Sequence, residues 1–251
     1  MNIAISLCPN DIFTFSGLLL NTVPNSYNIQ IFELGELNKN ISDKSYDFIK
    51  VSSLNLIRNA HYSATCVGAS LAREKGPQLV KAKGSKPSGN KIIVPSLHAT
   101  ATKLAHRYFP HFKAEECPLN RISELVSSGE FPYGIIINED MNRLDELGLE
   151  TVVDLGLKWN SDFEAILPLG VIGAKISLHT DTVKCFERLV DDSLRWAQNN
   201  KEAALELTKK YTGKKDINSD HIQLFTQDAH FNPLIPEYLE KLEKSLIILE
   251  G

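Results

Sequence analysis

The chain has no apolar run approaching the ~20 residues that a membrane-spanning helix needs, so no membrane span is expected. It also lacks a basic excess. Its 27 Lys and Arg stand against 31 Asp and Glu, a net charge of −4, whereas nucleic-acid binders present a basic face. Nucleic acid is therefore not an expected partner. Cysteine is sparse and scattered: Cys8, Cys66, Cys117 and Cys185 form no C-x-x-C pair and no Cys/His ligand spacing. A zinc site and a disulfide framework are both unexpected. Cys66, Cys117 and Cys185 read as buried reduced thiols. Cys8 opens a helix, where a thiol is acidified, but packing is its simpler role. No basic and apolar leader precedes the first strand, so a cytoplasmic protein is expected.

What is present is an ordinary globular composition of 251 residues, 43% hydrophobic and 23% charged, enough for two lobes. Strand and helix signals alternate from the start. Asn2-Ile3-Ala4-Ile5 reads as a buried strand. Ser6-Leu7-Cys8-Pro9-Asn10-Asp11-Ile12-Phe13 then turns into a helix, with Pro9 near its first position. Strands are expected at 28–34, 47–51, 65–67 and 78–82, and a short helix at 36–41. Ser52 and Ser53 are expected to cap a helix carrying Leu54, Leu56 and Ile57. The alternation predicts a largely parallel α/β arrangement.

Lys83-Gly84-Ser85-Lys86-Pro87-Ser88-Gly89-Asn90 contains nothing apolar and reads as a linker. A second α/β unit follows. It has strands at 91–94, 134–138 and 150–155, a turn into a helix at 95–108, and a helix at 119–128. Residues 168–174 read as the return connection. From Thr180 onward the pattern is helical, over 180–197, 203–211, 220–227 and 236–249. His221 and His230 read as surface residues.

These signals predict two α/β lobes. Lobe one comprises 1–85 and 175–251, and lobe two, 90–170, is inserted into it. Two connections between lobes make a cleft that closes by hinge motion. Ligands in open α/β sheets sit at the carboxyl ends of strands. The turns at 6–11, 50–53 and 95–102 are therefore expected to meet in the cleft, with their helix-start N–H groups available to an anionic or polar ligand.

In register, seven segments resemble one family. The S-x-C-P-N-D-x-F start stands as residues 6–13. The D-x-x-K-x-S segment is Asp47, Lys50 and Ser52. The G-x-x-L-x-R-x-x-G-P loop is Gly68, Leu71, Arg73, Gly76 and Pro77. The V-P-G-x-x-T-T turn is Val94 to Thr100, with Ser96 and Ala99 as departures. S-G-E is Ser128-Gly129-Glu130. V-D-L-G-x-x-W is Val153 to Trp159, and P-L-G is Pro168-Leu169-Gly170. The chain thus resembles the 1,4-dihydroxy-6-naphthoate synthase family of the futalosine route to menaquinone, over roughly residues 1–175. Its sister, chorismate dehydratase, fits the opening octet less well.

The resemblance implies a type-II periplasmic-binding-protein-like fold without export. It implies a carbon–carbon lyase acting on a small carboxylated aromatic substrate, with no metal or redox cofactor. Asn10, Asp11, Lys50, Ser52, Ser53, Ala99 and Thr100 are the implied substrate-binding positions. The family's catalytic histidine falls on Asn138, which accepts no proton at neutral pH. His98 is then the alternative base, with Asp11, Glu139 and Asp140 as further proton-transfer candidates. A non-catalytic binding protein on the same fold is the other reading of these residues. The sequence does not set the oligomeric state.

Overall fold

The computed structural model describes residues 1–43, 45–73, 75–137, 139–214, 217, 222, 226 and 229–247. The chain opens with β1 (Asn2–Ser6), α1 (Pro9–Thr14), α2 (Ser16–Leu19), β2 (Asn28–Phe32), α3 (Leu34–Asn40), β3 (Phe48–Ser52), α4 (Ser53–Ile57), β4 (Tyr62–Ala64) and β5 (Ser70–Ala72). It continues through β6 (Gln78–Ala82), β7 (Lys91–Val94), α5 (Thr100–Tyr108), β8 (Lys113–Glu116), α6 (Ile122–Ser127), β9 (Tyr133–Ile136), β10 (Leu149–Asp154) and α7 (Leu155–Phe163). It returns in β11 (Leu167–Lys175) and ends in α8 (Thr180–Asn199), α9 (Lys201–Thr212) and α10 (Ile235–Ile247).

Two sheets form. The first has the order β2-β1-β3-β11-β4 with β5 on β11, and the second β10-β6-β9-β7-β8. The expectation of largely parallel sheets needs correction. β1 runs parallel to β2 and β3, and β7 to β8 and β9. β11 is antiparallel to β3, β4 and β5, and β6 to β9 and β10. The reversal follows from crossing. β6 and β11 are the strands by which the chain enters each sheet from the other. A strand entering from the cleft side runs away from it, against neighbours whose carboxyl ends point into it.

The linker expectation also moves. Gln78–Ala82 pairs with β9 and β10, so the outward crossing lies between β5 and β6, and residues 83–90 join β6 to β7 within the second sheet. The return lies at 164–166, before β11, which is a full strand of the first sheet. Residues 65–67, expected as a strand, follow β4 as a turn. Of the helix expected at 220–227 only Ile222 and Thr226 are described, and both are helical and buried.

The core sits on both faces of the first sheet. Ile3, Ala4 and Ile5 are all fully buried, as befits a central strand between two layers. Phe186, Val190, Leu194 and Ala197 make one buried stripe along α8. Phe48 of β3 stacks on Phe186 at 3.7 Å between ring centroids. A second core fills the other sheet with Leu79, Ile92, Val94 and Ile135 against Ala101 and Ala105 of α5. His230 is half-buried, its Nδ1 2.7 Å from Asp191 Oδ1. His221 lies outside the described residues. The four cysteines, three of them expected to be buried, are all half-exposed. No described helix is long and apolar enough to cross a membrane.

One carboxylate organises the lobe junction. Asp154 caps α7 by accepting from the N–H groups of Gly156 and Leu157, both at 2.9 Å, and it also accepts from Gly76 N at 3.1 Å. Asp154→Ala is expected to lower stability by about 2 kcal/mol, the upper end of the range for an N-cap, because a third donor is orphaned with the two of the cap. Urea unfolding of the variant checks this.

Candidate active site

Three strand-to-helix turns meet between the sheets: β1 into α1, β3 into α4, and β7 into α5. Each N-cap residue, Cys8, Ser52 and Ala99, has extended backbone, and none makes a side-chain cap hydrogen bond. By contrast, α7 and α8 are capped by Asp154 and His179. A helix start leaves orphan N–H donors that a cap, water or a ligand must satisfy. Here three such starts aim at one cavity, with about 800 Å³ of empty space that includes its open mouth. Pro9, Leu34, Val51, Pro77, Ile137 and Leu169 give it apolar walls.

The floor is a closed polar network. Lys50 Nζ lies 3.0 Å from Asp11 Oδ1, and both side chains are only 5% exposed. The other Asp11 oxygen accepts from the Ser6 hydroxyl. Lys50 Nζ also donates to the Gly68 carbonyl and, at 3.4 Å, to Ser70 Oγ. Asn10 Nδ2 donates to that same Ser70 Oγ at 2.9 Å. Gly68 has a φ of +64°, and a Cβ there would lie 2.4 Å from Ile172 Cδ1. Only glycine presents its carbonyl to Lys50 in this way.

Asn38, on the buried face of α3, ties the lobes. Its Nδ2 donates to Ser52 Oγ at 3.0 Å and to Ser96 Oγ at 3.2 Å, while its Oδ1 accepts from Ser52 N at 3.0 Å. Thr100 adds a second tie. Its hydroxyl donates to the Leu169 carbonyl at 3.2 Å and accepts from Leu54 N at 3.4 Å. Asn38 and Ser70 were not legible as site residues. A polar residue on the buried face of α3 was the one available signal for Asn38.

Of the expected positions, Asn10, Asp11, Lys50, Ser52, Ala99 and Thr100 all line the cleft. Ser52 sits at the expected N-cap, but its hydroxyl serves Asn38 instead of its own helix. Ser53 is fully buried outside the lining, its Oγ without a hydrogen-bond partner among the described residues. His98 is a correction. It is exposed and outside the described lining, because the helix start turns Ala99 and Thr100 inward and leaves 97–98 facing solvent. Asn138 lies outside the described residues, although its neighbour Ile137 lines the cleft. Asp140 lies outside the lining, accepting from Ser123 Oγ at 3.0 Å and from Lys214 Nζ at 3.3 Å. Glu139 opens the same 3-10 turn.

A family model described as menaquinone biosynthesis matches residues 1–237, which extends the resemblance through α9 to the start of α10. The 1,4-dihydroxy-6-naphthoate synthase of Thermus thermophilus is 30% identical over 217 residues, covering 84% of this chain and 79% of that protein. The Streptomyces coelicolor enzyme of the same name is 27% identical over 241 residues, covering 91% and 85%. Among solved structures, an Archaeoglobus fulgidus protein superposes with a TM-score of 0.89 at 22% identity, over 98% of this chain and 96% of that one. The alkanesulfonate-binding protein of Xanthomonas axonopodis pv. citri, bound to MOPS, gives a TM-score of 0.71 at 9% identity, over 99% and 91%. The fold is therefore the two-lobed α/β fold of periplasmic binding proteins, as expected. With a family model spanning nearly its whole length, the chain belongs to the menaquinone-biosynthesis family.

Proposed function

We propose that this protein is a lyase of the futalosine route, converting cyclic dehypoxanthinyl futalosine to 1,4-dihydroxy-6-naphthoate. The family match and the two named relatives support the reaction. The observation that carries the site is the meeting, on one apolar cleft, of three helix starts whose own N-cap side chains leave them uncapped. The apolar walls take the aromatic rings. The first-turn N–H groups of α5 and the hydroxyl of Ser52 take the carboxylate and the oxygen that gains charge as the carbon–carbon bond breaks, while Thr100, its hydroxyl donating to the Leu169 carbonyl, holds the start of α5 in place. A cytoplasmic location, with a small carboxylated aromatic as substrate, is part of this reading.

The described lining holds a single carboxylate, Asp11, with both oxygens engaged by Lys50 and Ser6. The reading therefore makes proton transfer substrate-assisted. The proton leaves the departing sugar-derived portion and reaches the oxygen that becomes phenolic, while the protein holds the two in line.

The test is direct. Purified protein is mixed with the cyclic futalosine derivative, and the naphthoate is followed chromatographically. Turnover is expected, and Ser52→Ala is expected to lower kcat/KM by about tenfold or more, as the loss of a hydrogen bond to a charged group does. Tight naphthoate binding without turnover would instead make this a binding protein. Dehydration of chorismate under the same conditions would move it to the sister activity.

A further inference from the structure

Beside the main cleft lies a smaller compartment with about 380 Å³ of empty space, its open mouth included, lined in part by Glu33, Asn120, Thr212 and Lys214. It shares Cys8, Pro9 and Leu34 with the main cleft, so the two meet along the starts of α1 and α3. Its walls come from both lobes. Glu33 precedes α3, Asn120 lies in the 3-10 turn before α6, and Thr212 and Lys214 lie at the end of α9. Lys214 is oriented by its ion pair with Asp140 at 3.3 Å. Glu33 makes no cap hydrogen bond to α3, and partial burial followed by the charge of Glu36 raises its carboxyl above the ordinary range.

The two compartments differ in chemistry. The main cleft offers apolar walls and backbone donors at the helix starts. The side compartment offers a carboxyl, an amide and an ammonium group from three separate elements, a mix of acceptors and donors suited to several hydroxyls at once. The proposed reaction divides a substrate of the same two characters. One product is a flat aromatic acid, and the portion it loses derives from a sugar. We propose that the side compartment binds the polyhydroxylated, sugar-derived portion of the substrate, with Glu33 and Asn120 on its hydroxyls, and that the bond between the two portions lies at the rim beside Cys8, Pro9 and Leu34, where the compartments adjoin. This rests on the synthase reading and extends it to the part of the substrate that the product lacks.

The experiment compares substrate with product. Glu33→Ala and Asn120→Ala are each expected to raise KM for the cyclic futalosine derivative by about 3- to 10-fold, as the loss of one hydrogen bond does. The dissociation constant for 1,4-dihydroxy-6-naphthoate should stay at the wild-type value, because the product occupies only the main cleft. Unchanged product binding also shows that the variant is folded. Asn120→Asp, which keeps an acceptor, should recover part of the loss. Equal weakening of substrate and product, or no change in either, would overturn the compartment's role while wild-type turnover leaves the synthase reading standing. If the wild type binds both compounds without turnover, the synthase reading fails by itself. Calorimetric affinity for the cyclic futalosine derivative, wild type against variant, then decides the compartment.

Discussion

Lys50→Met is expected to lower the free energy of unfolding by about 3–5 kcal/mol, the usual cost of breaking a buried ion pair from one side. The Asp11 carboxylate would stand without its cation in a wall where it is 5% exposed, with the Ser6 hydroxyl as its remaining partner among the described residues. The Gly68 carbonyl and Ser70 would lose a donor as well. Naphthoate production should fall too, because Ser70 also holds Asn10 in the cleft wall. The double variant Lys50→Met with Asp11→Asn removes both charges together and should recover much of the stability without recovering the activity. Urea unfolding of the two single variants and the double variant gives the coupling. A Lys50→Met protein as stable as the wild type would mean that the pair does not form.

The second large effect is expected at Gly76. A Cβ added there would lie 2.4 Å from Gly156 Cα and 2.7 Å from Gly156 N. Both are backbone atoms, so no side chain can swing aside. Gly76→Ala should cost about 3 kcal/mol, at the top of the usual range for overpacking. Its effect also reaches the cleft. Gly76 lies in the outward crossing, Asp154 accepts from its N–H, and the next residue, Pro77, lines the cavity. Pushing the crossing away from α7 shifts one lobe against the other. Product affinity should therefore fall even at low temperature, where the variant is still folded. Denaturation curves and a binding titration at 10 °C check the two parts separately. Wild-type values in both would show that the crossing and α7 do not touch.

Much of this site was legible because its determinants are local. Pro9 at the first position of α1, the apolar residues of β3 and β7, and the small polar turns after them are written within a few residues of where they act. That three such turns meet followed from the rule that ligands sit at strand ends. The crossing was not legible. The composition of 83–90 marks an exposed loop, but no composition states which sheet the strand before it joins. The pairing of β6 with β9 and β10 spans more than fifty residues of chain. The partner of Lys50 was hidden for a similar reason. Asp11 is near it because β1 and β3 are parallel neighbours, with Ile3 opposite Phe48 and Ala4 opposite Ile49, so their carboxyl ends emerge side by side. His98 was placed in the cleft by nearness in sequence to Thr100. At a helix start, neighbouring residues face different ways, and two positions separate a wall from solvent.

The pairing of Lys50 with Asp11 also sets how a ligand finds the cleft. Lys50 is the one cation among the described lining residues, and its charge is cancelled where it stands. The chain as a whole carries a net charge of −4. Neither Lys50 nor the net charge therefore draws an incoming carboxylate from a distance. Recognition begins only at contact, when N–H and hydroxyl donors replace its water. Such short-range bonds in a partly dry cavity are screened little by mobile ions, so ligand affinity is set by shape and donor placement and is nearly indifferent to the ionic strength around it.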